Sequence, residues 1–506
     1  MIWIILISFV AVLLCVLSCC TRRSRLASEP PLDKGTIPWL GHALEFGKDA
    51  ATFLTRMKNK HGDIFTVQVA GRFVTVLLDP HSYDAVIWES SSKLDFSKYA
   101  RILMDRMFNV KLPDYDQSAE KTMVKLYSQL TTTLVIWSLT RLTPAHPTPP
   151  HPEKGNCNSP GSQSTYLGLL IFFFSFVLRN SYLNISPVMA IARLNHSSPP
   201  PASLRNKEVK HYSRKLDNFM AELYKGTHIL AEKKEAASVK EHLWRLLSPE
   251  QVDSKTNRSS WLNSYRLHLQ ELGVDNNMQA RVMLLQLWAT QGNVGPAAFW
   301  LLLFLLKHPE AMAAVQGEAE RVFKQNGREV SPLYQISQEL LDNTPVFNSV
   351  LNETLRLTAA SFLTREVLQD MQLKLADGRE YSLRIDDRLC IFPYLSPQRD
   401  PEVYEEPEKF KYDRFLNPNG TEKKDFYKRG KKLKYYNMPW GAGYNICVGR
   451  FYAINSLKQF VFILLNSFHM ELCDPEERTP AFDVSRYGFG MLHPERDVKI
   501  KYKLKI

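Results

Sequence analysis

Paired cysteines are missing from this chain. Its seven, at positions 15, 19, 20, 157, 390, 447 and 473 of 506 residues, show neither disulfide nor metal-ligand spacing, and three lie in or beside an N-terminal apolar run. That distribution excludes a disulfide framework and a four-ligand zinc site, and it points to a reducing compartment. Nucleic-acid motifs are missing as well. The formal net charge of +12 comes without basic and aromatic residues interleaved, so it suits an anionic membrane surface or an acidic partner, and no nucleic-acid partner is expected. Apolar runs of bilayer length are scarce: residues 166–178 are apolar but too short to cross, which leaves residues 2–20 as the candidate span.

That span opens what is present. Residues 2–20 are followed at once by Arg22, Arg23 and Arg25. Basic residues after the apolar run, rather than before it, favour an uncleaved anchor with the arginines on the cytosolic side over a cleaved signal peptide. Pro30, Pro31 and Pro38 stiffen the stretch that follows. The expected organisation is an anchor at 1–20, a basic and proline-rich linker at 21–43, and one large domain at 44–506. With 44% hydrophobic residues, that domain can bury a core large enough to enclose a cofactor.

Within the domain, residues 51–60 read as a helix, and 63–70 with 72–78 read as a β-hairpin around Gly71. Residues 94–112 carry Arg101, Arg106 and Phe108 and read as an irregular segment able to cover a pocket. From about 124 to 206 the proline clusters at 144–152 and 199–201 exclude helix, and part of this stretch reads as an aberrant or alternatively spliced insertion. After 207 helical periodicity dominates. Residues 278–307 form the longest apolar-periodic run, and Gly292, Asn293, Gly295 and Pro296 in its middle mark a kink or a ligand.

Chemistry concentrates near the C-terminus. Cys447 follows Trp440, Gly441 and Gly443, precedes Gly449, and stands at the mouth of an apolar helical run at 451–468. Amides at a helix N-terminus lower a thiol's pKa, and a thiolate so held can bind a metal. Glu353 and Arg356 lie three apart, on one face of a helical run at 347–357. Trp137 and Arg141 form a second motif, in irregular surroundings.

Trp440, Gly443, Cys447 and Gly449 resemble the haem-ligand loop of the cytochrome P450 family, in which the cysteine thiolate is the axial ligand of haem iron. Glu353, Arg356 and, in the segment 410–415, Arg414 resemble that family's Glu-Arg-Arg cluster in order and spacing. The resemblance covers about residues 29–125 and 207–506. It implies a mainly α fold with a smaller β region and an N-terminal transmembrane helix, placed in the endoplasmic reticulum membrane with the catalytic domain cytosolic. It further implies haem b, iron protoporphyrin IX, on Cys447, with Arg365 and Asn445 at the cofactor, and Glu353, Arg356 and Arg414 as a structural cluster. In the same family a tryptophan and arginine spaced like Trp137 and Arg141 hold a haem propionate.

One departure from the family pattern is informative. Members that activate dioxygen usually place an acid and then a threonine in the long central helix, where this chain has Gly292 and Asn293. Neither is a carboxylic acid, and asparagine offers only an amide donor and acceptor. Proton delivery to dioxygen is then not required, as holds for a substrate that already contains an O–O bond. The reading is an isomerase of a fatty-acid endoperoxide, working without external reductant. Asn293 is the candidate for orienting the substrate, and the resemblance implies that Arg106, Leu112, Asn293, Thr364, Arg365 and Arg388 lie near substrate or haem. The competing reading is a reductase-dependent sterol or fatty-acid monooxygenase that docks its reductase on the basic run 423–434; a non-catalytic haem sensor is a third.

Overall fold

The structure, a computed structural model, describes residues 23–112, 163–166, 202–226, 230–254, 260–325 and 338–505, together with Ser8 and Val12. The rest of the expected anchor, the Trp137 and Arg141 pair, and the 124–206 stretch apart from 163–166 and 202–206 lie outside the described residues.

The strands that position the site are β1 (Leu32–Asp33), β2 (Ile64–Val69), β3 (Arg72–Leu77), β4 (Leu94–Asp95), β5 (Gln163–Tyr166), β6 (Leu363–Val367), β7 (Met371–Lys374), β8 (Glu380–Leu383) and β9 (Arg388–Ile391). Six of them make one sheet in the order β1-β2-β3-β9-β6-β4. The expected hairpin is there, with Ile64 opposite Leu77 and Val69 opposite Arg72, and the helix before it spans Ala50–His61. Two expectations need correction. The segment 21–43 is no free linker along its described part: Leu32 and Asp33 pair with Thr66 and Val67 as an edge strand, and the buried Arg23 is paired with Asp387 at 2.6 Å and Glu29 at 3.1 Å. Its prolines flank a docked strand. Residues 94–112 are not irregular either, because Phe96–Phe108 is a helix. Asp95 caps it by accepting from the Ser97 and Lys98 amides, Asn109 ends it in the left-handed region, and Tyr99, Leu103 and Met107 form the inward stripe at helical spacing.

The main core gathers around helices Asn276–Gln291 and Val294–Lys307, which follow one another across Gly292 and Asn293. By length and composition residues 276–307 could cross a membrane, but two thirds of the apolar window is buried inside the protein, as in a core helix. Helices Pro345–Thr358 and Arg450–Ser467 pack into the same core. The first begins with a proline, which needs no amide partner there, and the side chain of Glu318 accepts from the spare amides of Val346 and Phe347. Helix Pro345–Thr358 carries Glu353 and Arg356, and helix Arg450–Ser467 follows Cys447.

Candidate active site

The structure brings Glu353, Arg356 and Arg414 together. Both side chains of the i, i+3 pair are fully buried. Glu353 accepts from Arg356 Nε at 2.7 Å and from its terminal nitrogen at 2.8 Å, from Arg414 Nε at 2.9 Å, and from the Lys411 amide at 3.1 Å. Arg356 also donates to the carbonyls of Gln398 and Pro407 at 2.6 and 2.7 Å. A buried ion pair is tolerable only when its remaining donors and acceptors are met, and here they are. The cluster therefore ties the chain at 398–414 to the helix.

That chain leads into the cysteine loop. Gly443 opens the short turn Gly443–Asn445, and a Cβ there would fall 2.4 Å from Ile87 Cγ2, so only glycine lets the loop lie this close to the sheet domain. The Cys447 amide donates to Trp440 O at 2.8 Å and closes the loop before the helix starts at Arg450. Cys447 is accessible yet recessed. Burial pushes its thiol pKa up, while hydrogen bonds from the Gly449 and Arg450 amides and the Arg450 charge pull it down. The expected lowering by the helix-end amides is thus present but outweighed. A metal cation at the sulfur supplies what the amides do not, since a coordinated thiol is deprotonated outright. Asn445 is half-buried in the turn beside it.

Arg365 lies on β6. It alternates with Thr364, so it shares a face with Leu363, whose Cδ2 is 3.6 Å from where a Cβ on Gly441 would stand. Arg365 is 6% exposed, and its guanidinium donates to Thr364 O at 3.0 Å, rests over the Phe96 ring, and has no carboxylate ion pair among the described residues. Burial pulls its pKa down to about 10. An accessible thiol on a glycine-rich loop, with a buried guanidinium on the adjoining strand face that feels the Asp95 charge but makes no ion pair among the described residues, is a donor set that fits haem iron and a propionate.

Other expected residues are placed differently. Thr364 and Arg388 meet on the opposite face of the sheet, where Thr364 Oγ1 contacts Cys390 Sγ at 3.7 Å and Arg388 Nε pairs with Glu366 at 2.6 Å beneath the Tyr99 ring. Their polar atoms are engaged within the sheet. Arg106 is exposed and donates to Tyr224 O at 2.9 Å, and Leu112 packs half-buried on the main core. No described contact joins these four to Cys447 or Asn293.

The break in the central helix has a chemical cause. Pro296 has no amide to give to Gly292 O, so that carbonyl leaves the helical ladder, and His493 Nε2 stands 3.4 Å from it. Asn293 stands at the start of the second helix, but its side chain does not cap it: Oδ1 accepts instead from the Met491 amide at 3.1 Å. Behind the break, Asp217 accepts from Trp288 Nε1 at 3.3 Å, pairs with Arg486 at 3.4 Å and lies 3.7 Å from His493 Nδ1. Burial, and then the Arg486 charge, lower the His493 pKa to about 4. Trp288 stacks obliquely against Phe108 and Phe489 at 5.5 and 5.3 Å, forming an aromatic wall one turn before Asn293.

The family model described as Cytochrome P450 matches residues 205–500 of this chain. The chain belongs to the cytochrome P450 family. Its cofactor is accordingly haem iron, and the fold is mainly helical with some sheet. Prostacyclin synthase of Homo sapiens is 55% identical over 483 residues, 95% of this chain and 95% of that protein. The Bos taurus protein of the same name is 54% identical over the same shares. More distant is the 7-alpha-hydroxycholest-4-en-3-one 12-alpha-hydroxylase of Oryctolagus cuniculus, 38% identical over 96% of this chain and 95% of that one. In this P450, residues that sequence reasoning did not single out flank the helix break: Asp217, Met491 and His493. Asp217 sits in a polar helix with no local signal, and only Pro296, by freeing a carbonyl, announced that a distant donor was needed.

Proposed function

We propose that this P450 is a haem-thiolate isomerase that converts prostaglandin H2, a fatty-acid endoperoxide, to prostacyclin without external reductant. The observation that carries the reading is the Gly292 and Asn293 break, where a helix facing the cofactor would otherwise present an acid and a hydroxyl. Gly292 offers only a carbonyl, already met by His493, and Asn293 offers a carboxamide. The naming of relatives that match over 95% of the chain supports it.

Haem with a thiolate ligand supplies cleavage of the O–O bond. The chain's own residues do the rest. Cys447 holds the iron and donates electron density, and Arg365, with Asn445, holds the cofactor edge. Asn293 orients the endoperoxide, while Trp288 and Phe108 exclude water so that the cleaved fragment rearranges and loses a proton rather than adding solvent. By resemblance, Thr364, Arg388, Arg106 and Leu112 stand near the substrate or haem. The cofactor is haem b. Residues 1–20 anchor the protein in the endoplasmic reticulum membrane, 21–43 join the anchor to the domain, and the domain at 44–506 is cytosolic.

The monooxygenase reading has less support. The basic run 423–434, its docking surface for a reductase, is largely paired within the protein: Lys424 with Glu422, Lys428 with Asp400, Arg429 with Asp63, Lys432 with Asp425 and Lys434 with Asp84. The test is to incubate purified, haem-loaded protein with prostaglandin H2 in the absence of NADPH and reductase. Prostacyclin forms, and Cys447→Ser abolishes it; conversion that appears only with reductase and dioxygen contradicts the proposal.

A further inference from the structure

The carboxamide of Asn293 is held in one orientation from outside its own helix. Its Oδ1 accepts from the Met491 amide at 3.1 Å, and an amide N–H can bond only the oxygen end of the group. Met491 cannot drift, because the chain around it is laced to the end of helix Pro345–Thr358. Ala360 N donates to Gly490 O at 2.9 Å, Gly488 N to Ala360 O at 2.7 Å, and Leu492 N to Thr358 O at 2.9 Å. Gly490 stands against the same oxygen. A Cβ on it would lie 2.5 Å from Asn293 Oδ1, and its φ of +144° is open to glycine alone. Asn293 Nδ2 meets no acceptor among the described residues, and it is not one of the buried polar atoms left without a partner.

We propose that Gly490 and the Met491 amide are positioning residues that turn the Asn293 oxygen into the protein and leave its N–H as the end of the carboxamide offered to the substrate. The inference rests on the isomerase reading above. It deepens that reading by fixing polarity: Asn293 acts toward an endoperoxide oxygen as a hydrogen-bond donor and never as an acceptor. The glycine is needed because any side chain at 490 pushes the carboxamide off the Met491 amide.

The test uses full-length holoenzyme and prostaglandin H2. Asn293→Asp keeps the shape and the bond from Met491 but has no donor as a carboxylate. It regains one as a carboxylic acid, so its kcat falls about tenfold near neutral pH, the loss of one neutral hydrogen bond. It recovers relative to the parent as pH is lowered toward the carboxyl range of about 4 to 5. The parent at each pH controls for the groups facing the break, His493, Asp217 and Arg486. Gly490→Ala lowers kcat similarly with KM little changed and keeps the parent's haem-to-protein ratio. An Asn293→Asp profile parallel to the parent at all pH values overturns the proposal, whatever Gly490→Ala does to folding. A parent that leaves the endoperoxide unconverted overturns the isomerase reading instead.

Discussion

Replacing Glu353 by alanine removes the acceptor of four hydrogen bonds, three of them from guanidinium groups. Arg356 is left fully buried, and Arg414 nearly so, with their charges uncompensated. Arg356 keeps its carbonyl partners on Gln398 and Pro407, which limits the damage but does not neutralise the charge. Breaking a buried pair from one side costs about 3–5 kcal/mol. With a urea dependence of about 3 kcal/mol per M or somewhat more for a chain of this size, the unfolding midpoint falls by about 1 M. Urea titration followed by tryptophan fluorescence and by haem absorbance measures it, and haem absorbance is lost with the first transition because the same cluster anchors the chain that enters the Cys447 loop. Lys411→Ala is the control, since among the described residues that side chain pairs only with the exposed Glu405 and Glu406, and its removal leaves the midpoint in place. If Glu353→Ala shifts the midpoint no more than Lys411→Ala, the cluster does not hold this region and the reasoning fails.

Arg365→Ala lowers the haem-to-protein ratio after purification, and Arg365→Lys restores part of it; equal ratios in all three proteins would remove Arg365 from the cofactor. His493, with its pKa lowered to about 4, stays neutral in the folded protein while the unfolded chain takes up a proton below about pH 6.5, so its contribution to stability is present above that pH and lost as pH falls toward 4. His493→Phe therefore flattens the fall of Tm over that window, and an unchanged fall contradicts the assignment. Asp95→Ala removes the cap of helix Phe96–Phe108 and costs about 1 kcal/mol, read as a lowered Tm with haem retained.

Much of this architecture was legible where local chemistry decides structure. The hairpin around Gly71, the central helix with its interruption, and the pairing of Glu353 with Arg356 follow from alternation, helical spacing and the missing amide of Pro296, whereas Arg414, 61 residues beyond Glu353, was reached only through the family resemblance. Residues 94–112 misled because aromatic and charged side chains mask a buried stripe that a single cap, Asp95, was enough to announce. The stretch after Arg23 misled for another reason: its prolines speak of stiffness, whereas docking depends on Asp387, more than three hundred residues away. Thr364 and Arg388 adjoin Arg365 and Leu389 in sequence, but strand alternation turns them to the other face of the sheet. Around Asn293 the limit was distance in sequence, since Asp217 comes from well before it and Met491 and His493 from well after it, and they converge only in the fold.

The central claim is that the Cys447 site rearranges a peroxide already in the substrate rather than activating dioxygen. The most direct measurement is conversion of prostaglandin H2 under ¹⁸O₂ and, separately, without oxygen, each with no reductase present. The account predicts equal rates in both atmospheres and a product of the same mass as the substrate, carrying no ¹⁸O. A product that requires oxygen and reductase and carries one labelled atom would contradict it.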